Sequence, residues 1–195
     1  MGKHHCMSVK KKSIPNYRVP AKNLQLMCYP NCMHAYQIWI ALFFQLNQKQ
    51  QNYHLDFTFQ QKVDIPVLTT DKPDHYFFSS HFSWIYAYFY SKNKNEFKFR
   101  AYEKNNSYEF TIQALSEVKA LLCSGLHHSI HGLDIIANWL NEEYLAAHLQ
   151  EVFGQEVLTI NYLRELSGLS KSKSPVSSIS NYADPLSLEK ILAGI

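Results

Sequence analysis

An α+β fold is predicted for this chain, with an N-terminal helix, an antiparallel β-meander of four or five strands and a helical C-terminal half. Three features point there. Apolar residues recur at spacings of three and four between Ala35 and Leu46, strict alternation of apolar and polar residues fills the middle, and helical spacing returns from Leu115 onward. A length of 195 residues suits one domain with a sizeable core. With 46% hydrophobic and 14% aromatic residues against 18% charged, the composition excludes a largely disordered polypeptide.

The first helix is expected over 32–48, with Asn31 as its N-cap, and Tyr36, Ile40 and Phe44 widen its apolar stripe until most sides demand cover. Strands are expected at His54–Gln60, at Val63, Ile65 and Val67, and across the aromatic run Phe82–Tyr90. Two more follow at Phe97, Phe99 and Ala101 and at Tyr108, Phe110 and Ile112, with polar turns between them. Leu115, Val118, Leu121 and Leu122 then mark a helix over 113–124, and Leu133 to Phe153 a longer one stopped by Gly154. A shorter helix is expected over 157–167.

The ends read differently from this domain, which is placed at 23–168. Residues 1–22 hold Lys3, Lys10, Lys11, Lys12, Arg18 and Lys22 and no acid, which predicts a flexible basic arm. Residues 169–183 are Ser-rich and predict a linker. In 184–195, Asp184 and Pro185 can start a short amphipathic helix carrying Leu186, Leu188, Ile191 and Leu192. So short a helix needs a surface to dock on.

Charge is segregated along the chain. The net +3 conceals an acidic body, because 105–168 holds eight acids against only Lys119 and Arg164. A partner with a basic surface or segment suits that balance. Four cysteines and a longest apolar stretch of about twelve residues, where a membrane span needs roughly twenty, predict reduced thiols and a cytoplasmic setting without a transmembrane segment. The richness in Tyr, Phe, Lys and Asn suits an AT-rich bacterial genome.

Candidate chemistry is sparse. The turn His127, His128 and His131 offers imidazoles that could share a metal, yet Gly125 and Gly132 interrupt the helix such spacing needs. Cys28, Cys32 and His34 make half a zinc site without a second ligand pair. Gly2, Cys6 and the lysines at 10–12 approach a lipid-anchor pattern, but Cys6 stands where Ser or Thr belongs. Lys98, Arg100 and Tyr102 interleave cations with an aromatic ring, as single-stranded nucleic-acid binders do, although alternation turns Phe97 and Phe99 to the opposite face. No phosphate-cradling glycine loop, dinucleotide fingerprint or nucleophile elbow occurs.

No catalytic residue, metal or cofactor is therefore assigned. The reading that remains is a non-enzymatic protein–protein interaction module, an adaptor or chaperone-like subunit of a bacterial assembly such as a secretion or virulence complex. Its predicted contacts are Leu186, Leu188, Ile191 and Leu192 in the tail and Glu142 and Glu143 in the acidic half. Two alternatives are a single-stranded nucleic-acid binder and a small enzyme or metalloprotein built on His127–His131.

Overall fold

The computed structural model describes residues 17–21, 24–49, 64–102, 107–124, 130 and 132–169. Five strands form one sheet: β1 (Tyr17–Val19), β2 (Gln25–Cys28), β3 (Asp64–Thr69), β4 (His75–Phe78) and β5 (Lys98–Tyr102). The described helices are α1 (Met33–Lys49), α2 (Phe82–Tyr90), α3 (Ser107–Leu122), α4 (Leu133–Leu140), α5 (Ala146–Phe153) and α6 (Ile160–Leu166). The α+β class holds, but the sheet is mixed rather than an antiparallel meander.

Strand order is β1-β5-β3-β4-β2. β1 pairs antiparallel with β5, β5 parallel with β3, β3 antiparallel with β4, and β4 parallel with β2. β3 and β4 join by a tight turn, where Asp74 adopts φ 60° and the Thr70 hydroxyl accepts from the Lys72 N–H at 3.1 Å. Parallel neighbours cannot be joined by a short turn, so helices must separate them in sequence. α1 lies between β2 and β3, and α2 between β4 and β5.

That topology corrects the reading of Phe82–Tyr90 as a strand. Aromatic side chains favour strands, but Phe82, Ile85 and Tyr88 recur at spacings of three, and all three are buried on α2. Tyr108, Phe110 and Ile112 are likewise the first turns of α3, not a strand. Thr111, Ala114, Leu115, Val118 and Leu122 form the buried stripe of that helix. The long helix expected over 133–153 is two helices with a 3-10 turn, Glu143–Leu145, between them. Asn141 ends the first, its amide bonding both the N–H (2.7 Å) and the C=O (2.8 Å) of Leu158 and thereby tying the start of the α6 region to α4.

α1 starts one residue beyond expectation, entered through a 3-10 turn over Pro30–Cys32 rather than through an Asn31 side-chain cap. Gly154 does end α5, at φ 71°. β1 falls within the segment read as a basic arm, so residues 17–19 belong to the sheet edge. β2 and β4 were not expected either, and both are four residues long. The strand expected at His54–Gln60, the imidazoles 127, 128 and 131, the linker and the C-terminal tail lie outside the described residues.

The core sits on one face of the sheet. Leu26, Ile65, Val67, Phe78, Phe99 and Ala101 point there and are almost wholly buried. Helices α1 and α2 cover them, Tyr36 meeting Phe78 at 4.9 Å between ring centres and Tyr88 meeting Phe99 at 5.0 Å. α3 packs on α1, and α5 on α3. Each such ring, taken from water, contributes about 1.5–3 kcal/mol. The alternate positions Asp64, Pro66, Lys98 and Arg100 lie on the other face and stay partly exposed.

Candidate protein-binding face

The N-terminal turn of α1, the end of α4 and the 3-10 turn before α5 bring His34, Trp139, Glu142 and Tyr144 together. The His34 ring stacks on Trp139 with centres 5.8 Å apart. Its Nδ1 lies 3.1 Å from the Glu142 carboxylate and 3.1 Å from the Tyr144 hydroxyl. One ring nitrogen thus serves a carboxylate and a phenol at once.

A second His, Tyr and Glu cluster lies where α3 meets α5. Tyr108 stacks on His148 at 4.4 Å and donates to Glu151 at 2.8 Å. His148 Nδ1 is buried without a hydrogen-bond partner. Tyr144, His148 and Glu151 are four and three residues apart, the spacing that places side chains along one side of a helical segment. Tyr108 and Tyr144 keep 42% and 43% of their surface exposed, Tyr108 stacked on His148 and Tyr144 tilted against His34 with centres 6.2 Å apart.

The surrounding charge is acidic, and among the described residues no Lys or Arg pairs with Glu142, Glu143 or Glu151. Lys119 turns inward, donating to the Val152 carbonyl at 2.6 Å with its ammonium 5.9 Å from the Phe153 ring. Arg164 has its Nε buried. Glu143 and Asp134 are exposed, and Glu142 is partly so. Burial, with the Glu142 charge adding to it, pushes the Tyr144 phenol up to about 12. The bond to Glu151 pushes Tyr108 up as well. Both phenols therefore remain neutral near pH 7.

Carboxylates beside open aromatic faces recognise cations. An Arg or Lys side chain gains from the ring quadrupole and from charge-assisted hydrogen bonds in the same place. Sequence reasoning found Glu142 and Glu143 from the charge count. It missed Tyr108, which it placed in a strand, and His34, which it weighed only as a metal ligand.

The alternative nucleic-acid residues lie on β5. Arg100 is forked onto Asp64 at 2.6 and 3.0 Å, and Tyr102 is half-buried against the core. Phe99 is fully buried, and Phe97 packs edge-on against Tyr88 at 5.6 Å. The strand therefore offers cations without an open stacking ring beside them. The Cys28 and Cys32 thiols donate to the carbonyls of Tyr29 and Phe110, each at 3.6 Å, while His34 serves Glu142 and Tyr144. Among the described residues no three His, Cys, Asp or Glu side chains gather as metal ligands, and no helix is long and apolar enough to cross a membrane.

One constellation had no local signal in the sequence. The Glu117 carboxylate on α3 accepts the backbone N–H groups of His81 and of Phe82 (2.8 Å), capping α2 from 35 residues away. His81 sits at φ 60°, and its Nδ1 is 3.0 Å from the hydroxyl of Ser80. Ser80 is 3% exposed, which closes this corner to a substrate and makes it a structural clasp between helices.

Comparison with protein-family models, with curated proteins and with solved structures finds no match to this chain, so the reading of its function rests on these contacts.

Proposed function

We propose that the chain is a non-enzymatic protein–protein interaction module, an adaptor or chaperone-like subunit that takes a basic segment of another protein on its acid–aromatic face. The observation that supports this most is the pairing of two half-exposed tyrosines, Tyr108 stacked on His148 and Tyr144 tilted against His34, with carboxylates that no Lys or Arg among the described residues pairs with. Binding energy would concentrate in Tyr108, Tyr144 and Trp139, as aromatic anchors commonly carry it. Glu142, Glu143 and Glu151 would set orientation and preference for basic sequence. The tail residues Leu186, Leu188, Ile191 and Leu192 form a second, apolar contact in this reading. A bacterial cytoplasmic assembly is the proposed setting, in keeping with the unpaired thiols of Cys28, Cys32 and Cys123.

The test is affinity co-purification of the full chain from its native cell, followed by titration of the purified partner. Replacing Tyr108 and Tyr144 by Ala, or Glu143 by Lys, should weaken binding by about tenfold or more while the melting temperature changes little. Equal affinity in all three chains would remove the proposal. In the nucleic-acid reading, a mobility shift would be abolished by changing Lys98 instead; in the metalloprotein reading, purified protein would carry stoichiometric metal.

A further inference from the structure

We infer that residues 1–16 of this chain occupy the acid–aromatic face when no partner is bound, as an internal ligand that a basic partner must displace. This rests on the proposed reading of that face as a site for basic sequence, and adds its regulation.

Charge complementarity selects the occupant. Glu143 and Glu151 are exposed and Glu142 is partly so, and among the described residues no Lys or Arg pairs with them. Lys119, on the helix that carries Tyr108, is spent on the Val152 carbonyl. Residues 1–16 carry Lys3, Lys10, Lys11 and Lys12 and neither Asp nor Glu. An ammonium set between Tyr108 and Glu151, or between Tyr144 and Glu142, gains from a ring face and a carboxylate together. Met7, Val9 and Ile14 flank the lysines with apolar side chains that suit the same rings. Lys171 and Lys173 are the competing occupants, but they are two cations with Asp184 and Glu189 further along.

The point of attachment brings the segment within reach. Tyr17 pairs with Ala101 across β1 and β5, and Tyr108 follows Ala101 by seven residues. Tyr108 therefore lies at most about 30 Å from Tyr17. At about 3.3–3.6 Å per residue, Lys10 extends about 25 Å from Tyr17 and Lys3 about 50 Å. The lysines can meet Tyr108 and Glu151 while β1 stays in the sheet. A tethered segment acts at an effective concentration in the millimolar range. An intrinsic affinity of about 0.25 mM then fills most of the face and weakens an external ligand about fivefold.

Heteronuclear NMR tests this on the full chain and on a full chain with Lys10→Gln, Lys11→Gln and Lys12→Gln, changes that all precede β1. The amides of Tyr108, Glu142, Glu143, Tyr144 and Glu151 should differ between the two chains. A synthetic peptide of residues 1–16, added to the variant, should move them back. Octalysine should bind the variant about fivefold more tightly than the unaltered chain. Octalysine that shifts these amides with equal affinity in both chains would overturn the inference and leave the proposed function standing. Octalysine that shifts them in neither chain would remove the reading of the face and this inference with it. The occupant would also be wrong if Lys171→Gln with Lys173→Gln produced the differences instead. So would it be if the differences vanished on dilution together with a dimer seen in sedimentation, because the segment would then belong to a second copy.

Discussion

The acid–aromatic face and the sheet edge use similar polar residues in opposite proportions. On the helical face, Glu142 is met by the His34 imidazole and Glu151 by the Tyr108 phenol, and among the described residues neither is paired with a Lys or Arg. At the sheet edge, Asp64 is matched by Arg100 and, at 4.0 Å, by Arg18, with Lys98 beside it in register, so cations outnumber the carboxylate. What a charged residue offers a ligand depends on whether its neutraliser already lies in the fold. The charge balance of +3 conceals two surfaces of opposite sign.

The largest expected effect tests whether the helical face is as firmly built as the sheet. Cys32 sits beneath it, its thiol against the Phe110 carbonyl, and burial pushes that thiol up to about 12. Burial raises the Cys28 thiol too, with Cys32 adding to the effect, whereas Cys123 is exposed. In a Cys6→Ser chain near pH 8, a disulfide reagent should modify exposed Cys123 far faster than buried Cys28 or Cys32, because the reagent must reach the sulfur and only the thiolate reacts. Comparable rates at all three would mean that the helices do not hold shut over β2.

Next in size is the clasp between α3 and α2. Glu117→Ala leaves the N–H groups of His81 and Phe82 without their acceptor and should cost about 2–3 kcal/mol in urea unfolding. Burial raises the Glu117 carboxyl above its ordinary 4.5, outweighing the two backbone bonds that act to lower it. The folded chain then binds this proton more tightly than the unfolded chain. Its contribution is most favourable below about 4.5 and declines as pH rises through the raised value. Glu117→Gln should remove that slope, and an unchanged pH profile would show that the carboxyl titrates normally.

How much of this was legible in the sequence follows the range of each interaction. Helix α1 was readable because its apolar residues repeat from Ala35 to Leu46, and Gly154 because a helix end favours a positive φ. β3 and β5 were readable from alternation in Ile65, Val67, Phe99 and Ala101. α2 was not, because nine residues rich in Phe and Tyr satisfy strand propensity, and the deciding contacts come from Tyr36, Phe99 and Glu117, far away in sequence. β1, only three residues long, exists through pairing with β5, which nothing in the Tyr17–Val19 sequence announces. Glu142 was found by counting charges, but its meeting with His34 spans 108 residues and needed the fold.

The smallest effect tests the sheet-edge side of the comparison directly. Asp64→Asn removes the one carboxylate among Arg18, Lys98 and Arg100, and frees Arg100 from its forked hydrogen bonds. A partly exposed pair of this kind contributes about 1 kcal/mol, so the variant should remain folded with a modestly lower unfolding midpoint. Affinity for a basic partner on the helical face should not change. An unchanged unfolding midpoint would show that the Asp64–Arg100 pair contributes nothing to holding β3 against β5.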